Sequence, residues 1–97
     1  MFAVIFKAKP GQQDDKYLQT VARMRELAFN KYACLDFITA TEGELELAIS
    51  YWEDEESIKN WKNDPEHILA QQAGRANWYE SYSVQIVEIK REYSHNT

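Results

Sequence analysis

"EGELELAISYWEDEESIKNW", residues 42–61, decides the fold. Gly43 between two acids is turn chemistry. Leu45 to Trp52 then splits into two alternating sets, the period of a β-strand. Leu45, Leu47, Ile49 and Tyr51 fall on one side, and Glu46, Ala48, Ser50 and Trp52 on the other. Four acids, Glu53 to Glu56, follow and open a helix, because anions suit the positive end of a helix dipole. They read as a helix start rather than as a metal or catalytic cluster. Ile58 and Trp61, three residues apart, mark its buried side.

Outward from this stretch the chain alternates. "YACLDFITAT", residues 32–41, is a second strand, and the short turn at Gly43 makes the pair an antiparallel hairpin. Before it, "DKYLQTVARMRELAFN" (residues 15–30) places Tyr17, Val21, Met24 and Ala28 on one helical face, widened by Leu18 and Leu27, with Asp14 or Asp15 as cap. "MFAVIFKAK" (residues 1–9) is a first strand, ended by the turn dipeptide Pro10-Gly11. Asp64-Pro65 restarts the second helix, which is expected to run to about Asn77. "YSVQIVEIKREY" is a last strand to about residue 93, and residues 94–97 are expected to fray.

The order strand, helix, strand, strand, helix, strand predicts an α+β, ferredoxin-like βαββαβ domain over residues 1–93, with a four-stranded antiparallel sheet and helices on one face. The strands are apolar or small on both faces: Phe2, Val4 and Phe6 lie opposite Ala3 and Ile5, and Val84 and Ile86 opposite Val87 and Ile89. Two helices cover one face. The other needs a partner, and a homodimer through the sheet faces supplies it. Helix–sheet packing then leaves a pocket between the layers.

Composition removes several classes of function. The 97 residues carry a net charge of −5 and have no basic run, which excludes a nucleic-acid surface. No stretch is long and apolar enough to span a membrane, and no basic-plus-apolar leader is visible, so a cytoplasmic protein is expected. Cys34 is the single cysteine and reads as a small buried hydrophobe within a strand. Two histidines and one cysteine give no metal-ligand spacing, no glycine-rich phosphate loop occurs, and no cofactor is expected.

The segment "NWKNDPEHILAQQAGRANWY" (residues 60–79) concentrates the candidate chemistry. On a helical wheel His67, Gln71, Gly74, Arg75 and Trp78 cluster, with Leu69, Ala73 and Ala76 opposite as the expected packing stripe. The polar stripe is either a solvated face or a cleft wall flanked by Trp61 and Trp78. His67 has the chemistry of a general base, a ligand or a donor. Arg75 suits an anion clamp or an ion pair with Glu80 or with an acid of a second subunit.

These residues resemble the antibiotic biosynthesis monooxygenase family of the dimeric α+β barrel superfamily. The resemblance rests on Trp52, Asp54-Glu55, Trp61, Glu66-His67, Ala70-Gln71, Gly74-Arg75 and Trp78-Tyr79 before the last strand, with "MFAVIFKAKPG" matching the family's first strand. It implies a homodimer and a monooxygenase that needs neither metal nor flavin. In such an enzyme an electron-rich substrate anion reacts with oxygen itself, in a pocket for a small aromatic or enolisable molecule. His67 would be its catalytic residue, and Trp61, Gln71, Arg75 and Trp78 its substrate-binding residues. Other members bind and degrade haem, using an Asn near the end of the first strand and a His ten residues beyond the helix Trp. Here those places hold Lys7 or Lys9 and Gln71. Relatives with this run also include small proteins of no assigned substrate, so a ligand-binding or stress-associated dimer without turnover is the alternative.

Overall fold

The computed structural model describes residues 1–96. Four strands and three helices follow in the expected order: β1 (Phe2–Pro10), α1 (Asp15–Lys31), β2 (Asp36–Glu42), β3 (Leu45–Trp52), α2 (Glu55–Lys62), α3 (Pro65–Ala73), a π-helical turn (Gly74–Trp78) and β4 (Tyr79–Glu88). The sheet order is β2-β3-β1-β4, antiparallel throughout, and the chain has the ferredoxin-like α+β fold.

Local chemistry places each boundary. Asp14, Asp54 and Asp64 cap α1, α2 and α3 by accepting from the backbone N–H of Lys16, Ser57 and Glu66. Pro65 sits in the first turn of α3, where its missing N–H costs no hydrogen bond. The β2–β3 hairpin closes on Gly43-Glu44, and Gly43 takes a φ of 58° at the first loop position. The Glu53–Glu56 run is exposed, and its only capping role falls to Asp54.

Register decides which strand face meets the helices. Phe2, Val4 and Phe6 stand opposite Trp52, Ser50 and Ala48, and Phe37 lies opposite Ser50 on the other side. The core joins this face to Met24, Leu27 and Ala28 of α1 and to Ile58 and Trp61 of α2. Trp52 and Ile58 are fully buried. The Trp52 indole N–H donates to Ser50 Oγ at 2.8 Å, and that of Trp61 to the Met24 carbonyl at 3.0 Å, so neither polar group is stranded in the core.

Four expectations shift. β2 begins at Asp36, because Ala33 turns the chain with a φ of 60° before it can pair. Cys34 therefore sits ahead of the strand. It is buried as expected, and burial pushes its thiol pKa up. β4 ends at Glu88 rather than near residue 93: its neighbour β1 starts at Phe2, and the last pairing is Ile89 N–H to the Met1 carbonyl. Residues 89–96 carry no regular structure, and Thr97 of the expected tail lies outside the described residues. The α-helix expected to reach Asn77 stops at Ala73 and widens into the π-helical turn. No helix among the described residues is long and apolar enough to cross a membrane.

The π-helical turn is clamped to the end of β1. Gly11 N–H donates to the Trp78 carbonyl at 2.8 Å, and Gln12 N–H to that of Asn77 at 2.7 Å. A Cβ on Gly11 would lie 2.6 Å from the Asn77 carbonyl oxygen, a backbone atom with no room to yield. Gly11→Ala should therefore part the two segments and destabilise the fold by about 1–3 kcal/mol. Urea denaturation of the variant giving wild-type stability would show that the clamp does not bind the turn in place.

Candidate functional site

A cavity of about 450 Å³ lies between the helical layer and the sheet, within the range of small-molecule sites. Val4, Phe6, Phe37 and Ala48 form its floor, and Tyr17, Val21, Met24, Trp61 and Trp78 its roof. Polar groups gather at two places along β3, near Ser50 and near Glu46. Four residues of strand, roughly 13 Å, separate them.

At the first, the His67 ring meets Trp61 edge to face, with centroids 4.4 Å apart. Trp61 in turn packs on Trp52 at 5.2 Å and Phe37 at 6.1 Å. Gln71 Nε2 donates to the Lys62 carbonyl at 3.3 Å and lies 2.9 Å from His67 Nδ1. An amide nitrogen bound to a carbonyl must be the donor, so His67 Nδ1 accepts and its proton resides on Nε2. Burial, helped by the nearby Lys62 charge, lowers the His67 pKa to about 4. At neutral pH the ring is an uncharged N–H donor and a poor base.

At the second, three side chains form a chain of hydrogen bonds. The Tyr79 hydroxyl donates to Tyr17 Oη at 3.1 Å, and Tyr17 donates to Glu46 Oε2 at 2.6 Å. Gln13 Nε2 donates to Glu46 Oε1 at 2.9 Å and to the Trp78 carbonyl at 3.3 Å. Burial and the bond to Glu46 hold Tyr17 far above the usual tyrosine range, and burial raises Tyr79 as well. The Trp78 indole packs on Tyr17 at 5.4 Å and donates to Asp14 Oδ1 at 3.2 Å. Gly74 keeps the turn close: a Cβ there would stand 3.0 Å from the Tyr79 ring.

The structure thus brings together Trp61, His67, Gln71 and Trp78 on the cavity wall and leaves Arg75 exposed outside it. Arg75 does not take Glu80 either, which lies 3.6 Å from Lys9 Nζ. Of the expected packing stripe only Ala73 is half-buried. Leu69 is 66% exposed and Ala76 is exposed, while Ala70, Gly74 and Trp78 face inward with the polar groups. Polar side chains tolerate this position because Gln71 and His67 satisfy one another. Glu46, Tyr17, Tyr79 and Gln13 were not anticipated as site residues. Their signal was Glu46, a charged residue on the strand side that also carries Ala48, Ser50 and Trp52. Among the described residues, no group of three or more His, Cys, Asp or Glu side chains is placed to hold a metal ion.

The His67 environment has a consequence for stability. The unfolded imidazole protonates near its ordinary 6.5, the folded one only near 4, so as pH falls the unfolded state takes up the proton first. Stability from this group is intact above 6.5 and is lost as pH drops towards 4. Between about pH 7.5 and pH 4 the wild type should lose about 2–3 kcal/mol more than His67→Gln in urea titrations, allowing for the ring's partial exposure. Equal losses would mean that the imidazole is solvated.

No protein-family model matches the chain. It is 33% identical over 92 residues to the uncharacterised protein YqjZ of Bacillus subtilis, covering 94% of this chain and 81% of that one. It is 30% identical over 93 residues to the jasmonate monooxygenase ABM of Pyricularia oryzae, covering 92% of this chain but 43% of that longer protein. Its fold is that of SnoaB, a cofactor-independent oxygenase from Streptomyces nogalater, with a TM-score of 0.79 at 10% identity over 97% of both chains. A second solved structure, an antibiotic biosynthesis monooxygenase, matches with a TM-score of 0.67 at 13% identity, covering 94% of this chain and 100% of that one. Aligned along nearly its whole length with YqjZ, and carrying the run of residues at Trp52, Trp61, Glu66-His67, Gly74-Arg75 and Trp78, the chain belongs to the antibiotic biosynthesis monooxygenase (ABM) family.

Proposed function

We propose that this protein is a cofactor-independent monooxygenase for a small aromatic or enolisable substrate held between helices and sheet. The observation that carries the reading is the neutral, Gln71-oriented His67 imidazole set against Trp61 on the wall of an apolar cavity. Loss of a proton from the activated carbon leaves an enolate, and charge gathers on its oxygen. A neutral imidazole N–H in a largely dry site stabilises such an oxyanion and needs no reorganisation as the charge develops. The electron-rich carbon then reduces dioxygen, the two fragments join as a peroxide, and loss of water leaves a carbonyl. A CH2 group and O2 become C=O and H2O, so no external reductant enters. The pKa near 4 makes His67 the oxyanion donor rather than the base. The names of the jasmonate monooxygenase and of SnoaB support the same class.

The dimer belongs to this reading. Ile5, Ile49 and Ile38 form one row across the sheet face away from the helices, flanked by Leu45, Leu47 and Val87. Ile38 is 49% and Leu45 44% exposed in the single chain. Covering such a face with its copy removes this apolar surface from water. With an acidic chain and one cysteine, we place the protein in the cytoplasm.

Two measurements test these statements. An oxygen electrode should record uptake with anthrone in the absence of added metal, flavin or reductant, one O2 per anthraquinone formed. His67→Ala should slow it by about 10²–10³. Wild-type uptake no faster than buffer rejects the enzyme, and a ligand that raises the melting temperature with no product formed makes the protein a binder instead. Light scattering should give twice the 11.4 kDa chain mass, and Ile49→Arg should halve it. A wild-type mass of one chain at micromolar concentration removes the dimer.

A further inference from the structure

We infer that the Glu46 end of the cavity is a hydroxyl-recognising subsite, which selects a substrate bearing a phenol or enol O–H at that end and rejects a carboxylate there. The inference rests on the proposed aromatic site and adds the polar group that its substrate must carry.

Tyr79 gives its only hydroxyl proton to Tyr17, and Tyr17 gives its own to Glu46. Gln13 Nε2 carries two protons and directs them to Glu46 and to the Trp78 carbonyl. The Trp78 indole proton goes to Asp14. Every donor of the cluster is committed within the protein. What is left towards the cavity is lone pairs: those of Tyr79 Oη, the second of Tyr17 Oη and the remaining sites on the Glu46 carboxylate. The lone pairs of this Glu46–Tyr17–Tyr79 cluster favour a ligand that brings a donor. A ligand carboxylate would meet the Glu46 charge and the tyrosine oxygens with no proton between them. Aromatic walls from Phe6, Tyr17, Tyr79 and Tyr82 hold a planar frame beside these acceptors.

The opposite pole has the reverse character. His67 offers its Nε2 proton, and the Lys62 side chain also borders the cavity. A substrate that satisfies both ends has a hydroxyl on one side of an aromatic frame and a carbonyl or oxyanion oxygen on the other. The two poles thus fix its orientation as well as its class.

Equilibrium dialysis with 1-naphthol, 1-naphthoate and naphthalene, at neutral pH where naphthol keeps its proton, tests the subsite. The wild type should bind naphthol at least about tenfold more tightly than naphthoate or naphthalene. Glu46→Gln, whose amide supplies a donor, should bring naphthol and naphthoate to within about threefold. Tyr79→Phe leaves the Tyr17–Glu46 bond in place. It should weaken naphthol and leave naphthalene unchanged, which separates a lost acceptor from a disturbed fold. Naphthalene binding without preference for naphthol, or the same preference in wild type and Glu46→Gln, overturns the subsite. Failure of all three to bind overturns the aromatic site with it. Oxygen uptake with anthrone judges the oxygenase separately: its absence beside an intact naphthol preference rejects the enzyme and leaves the subsite standing.

Discussion

Trp61 is the contact on which the rest of the structure depends. Its indole N–H reaches the Met24 carbonyl, so α2 is fixed to α1 by a buried hydrogen bond as well as by packing. Its ring lies over Trp52 and Phe37, which fixes the helical layer to β3 and β2. Its free edge receives His67, so the same side chain that closes the core begins the cavity. A smaller apolar residue there would leave the Met24 carbonyl without its partner and the imidazole without its wall. Core and site are therefore one continuous packing unit.

The architecture was legible because it rests on local chemistry. Aspartate before each helix, proline in the first turn of α3, glycine at the hairpin and strict alternation in Leu45–Trp52 each act within a few residues of where they stand. The errors came where a distant partner decides. β4 stops where β1 supplies no further partner, and the start of β2 waits on a turn at Ala33. The helical wheel grouped His67, Gln71 and Trp78 but left open whether they face solvent or a cleft, and it turned Leu69 and Ala76 inward, where the structure exposes them. Apolarity is a guide to the inward face only when the inward face is dry core. Here it borders a cavity, so the self-satisfied His67–Gln71 pair points in while Leu69 points out.

The site was half legible for the same reason. Trp61, His67, Gln71 and Trp78 come from one stretch of chain and share a helical face, a relation that a sequence displays. Glu46, Tyr17, Tyr79 and Gln13 come from four different segments and meet only through the sheet register and the clamp between Gly11 and Trp78. Tyr17 passed as an apolar member of its helical stripe, since its hydroxyl declares itself only beside Glu46. Arg75 failed in the opposite sense. Proximity on an α-helical wheel suggested a clamp, but Arg75 lies in the π-helical turn, which leaves it in solvent.

The two ends of the cavity acquire opposite character from one cause, the commitment of protons inside the protein. At the His67 end an amide donor consumes the acceptor nitrogen and leaves an N–H. At the Glu46 end a carboxylate draws in each neighbouring hydroxyl proton and leaves lone pairs. Neither end relies on a charged side chain standing alone in an apolar pocket, where desolvation would oppose it. The imidazole is neutral, and the carboxylate is held by two donors. A small domain can keep such groups beside its core because their buried polar atoms already have protein partners before a ligand arrives. Among the described residues no buried side-chain nitrogen or oxygen is left without one. What the cavity offers a ligand is the capacity left over after the protein has satisfied itself, and that remainder differs at its two ends.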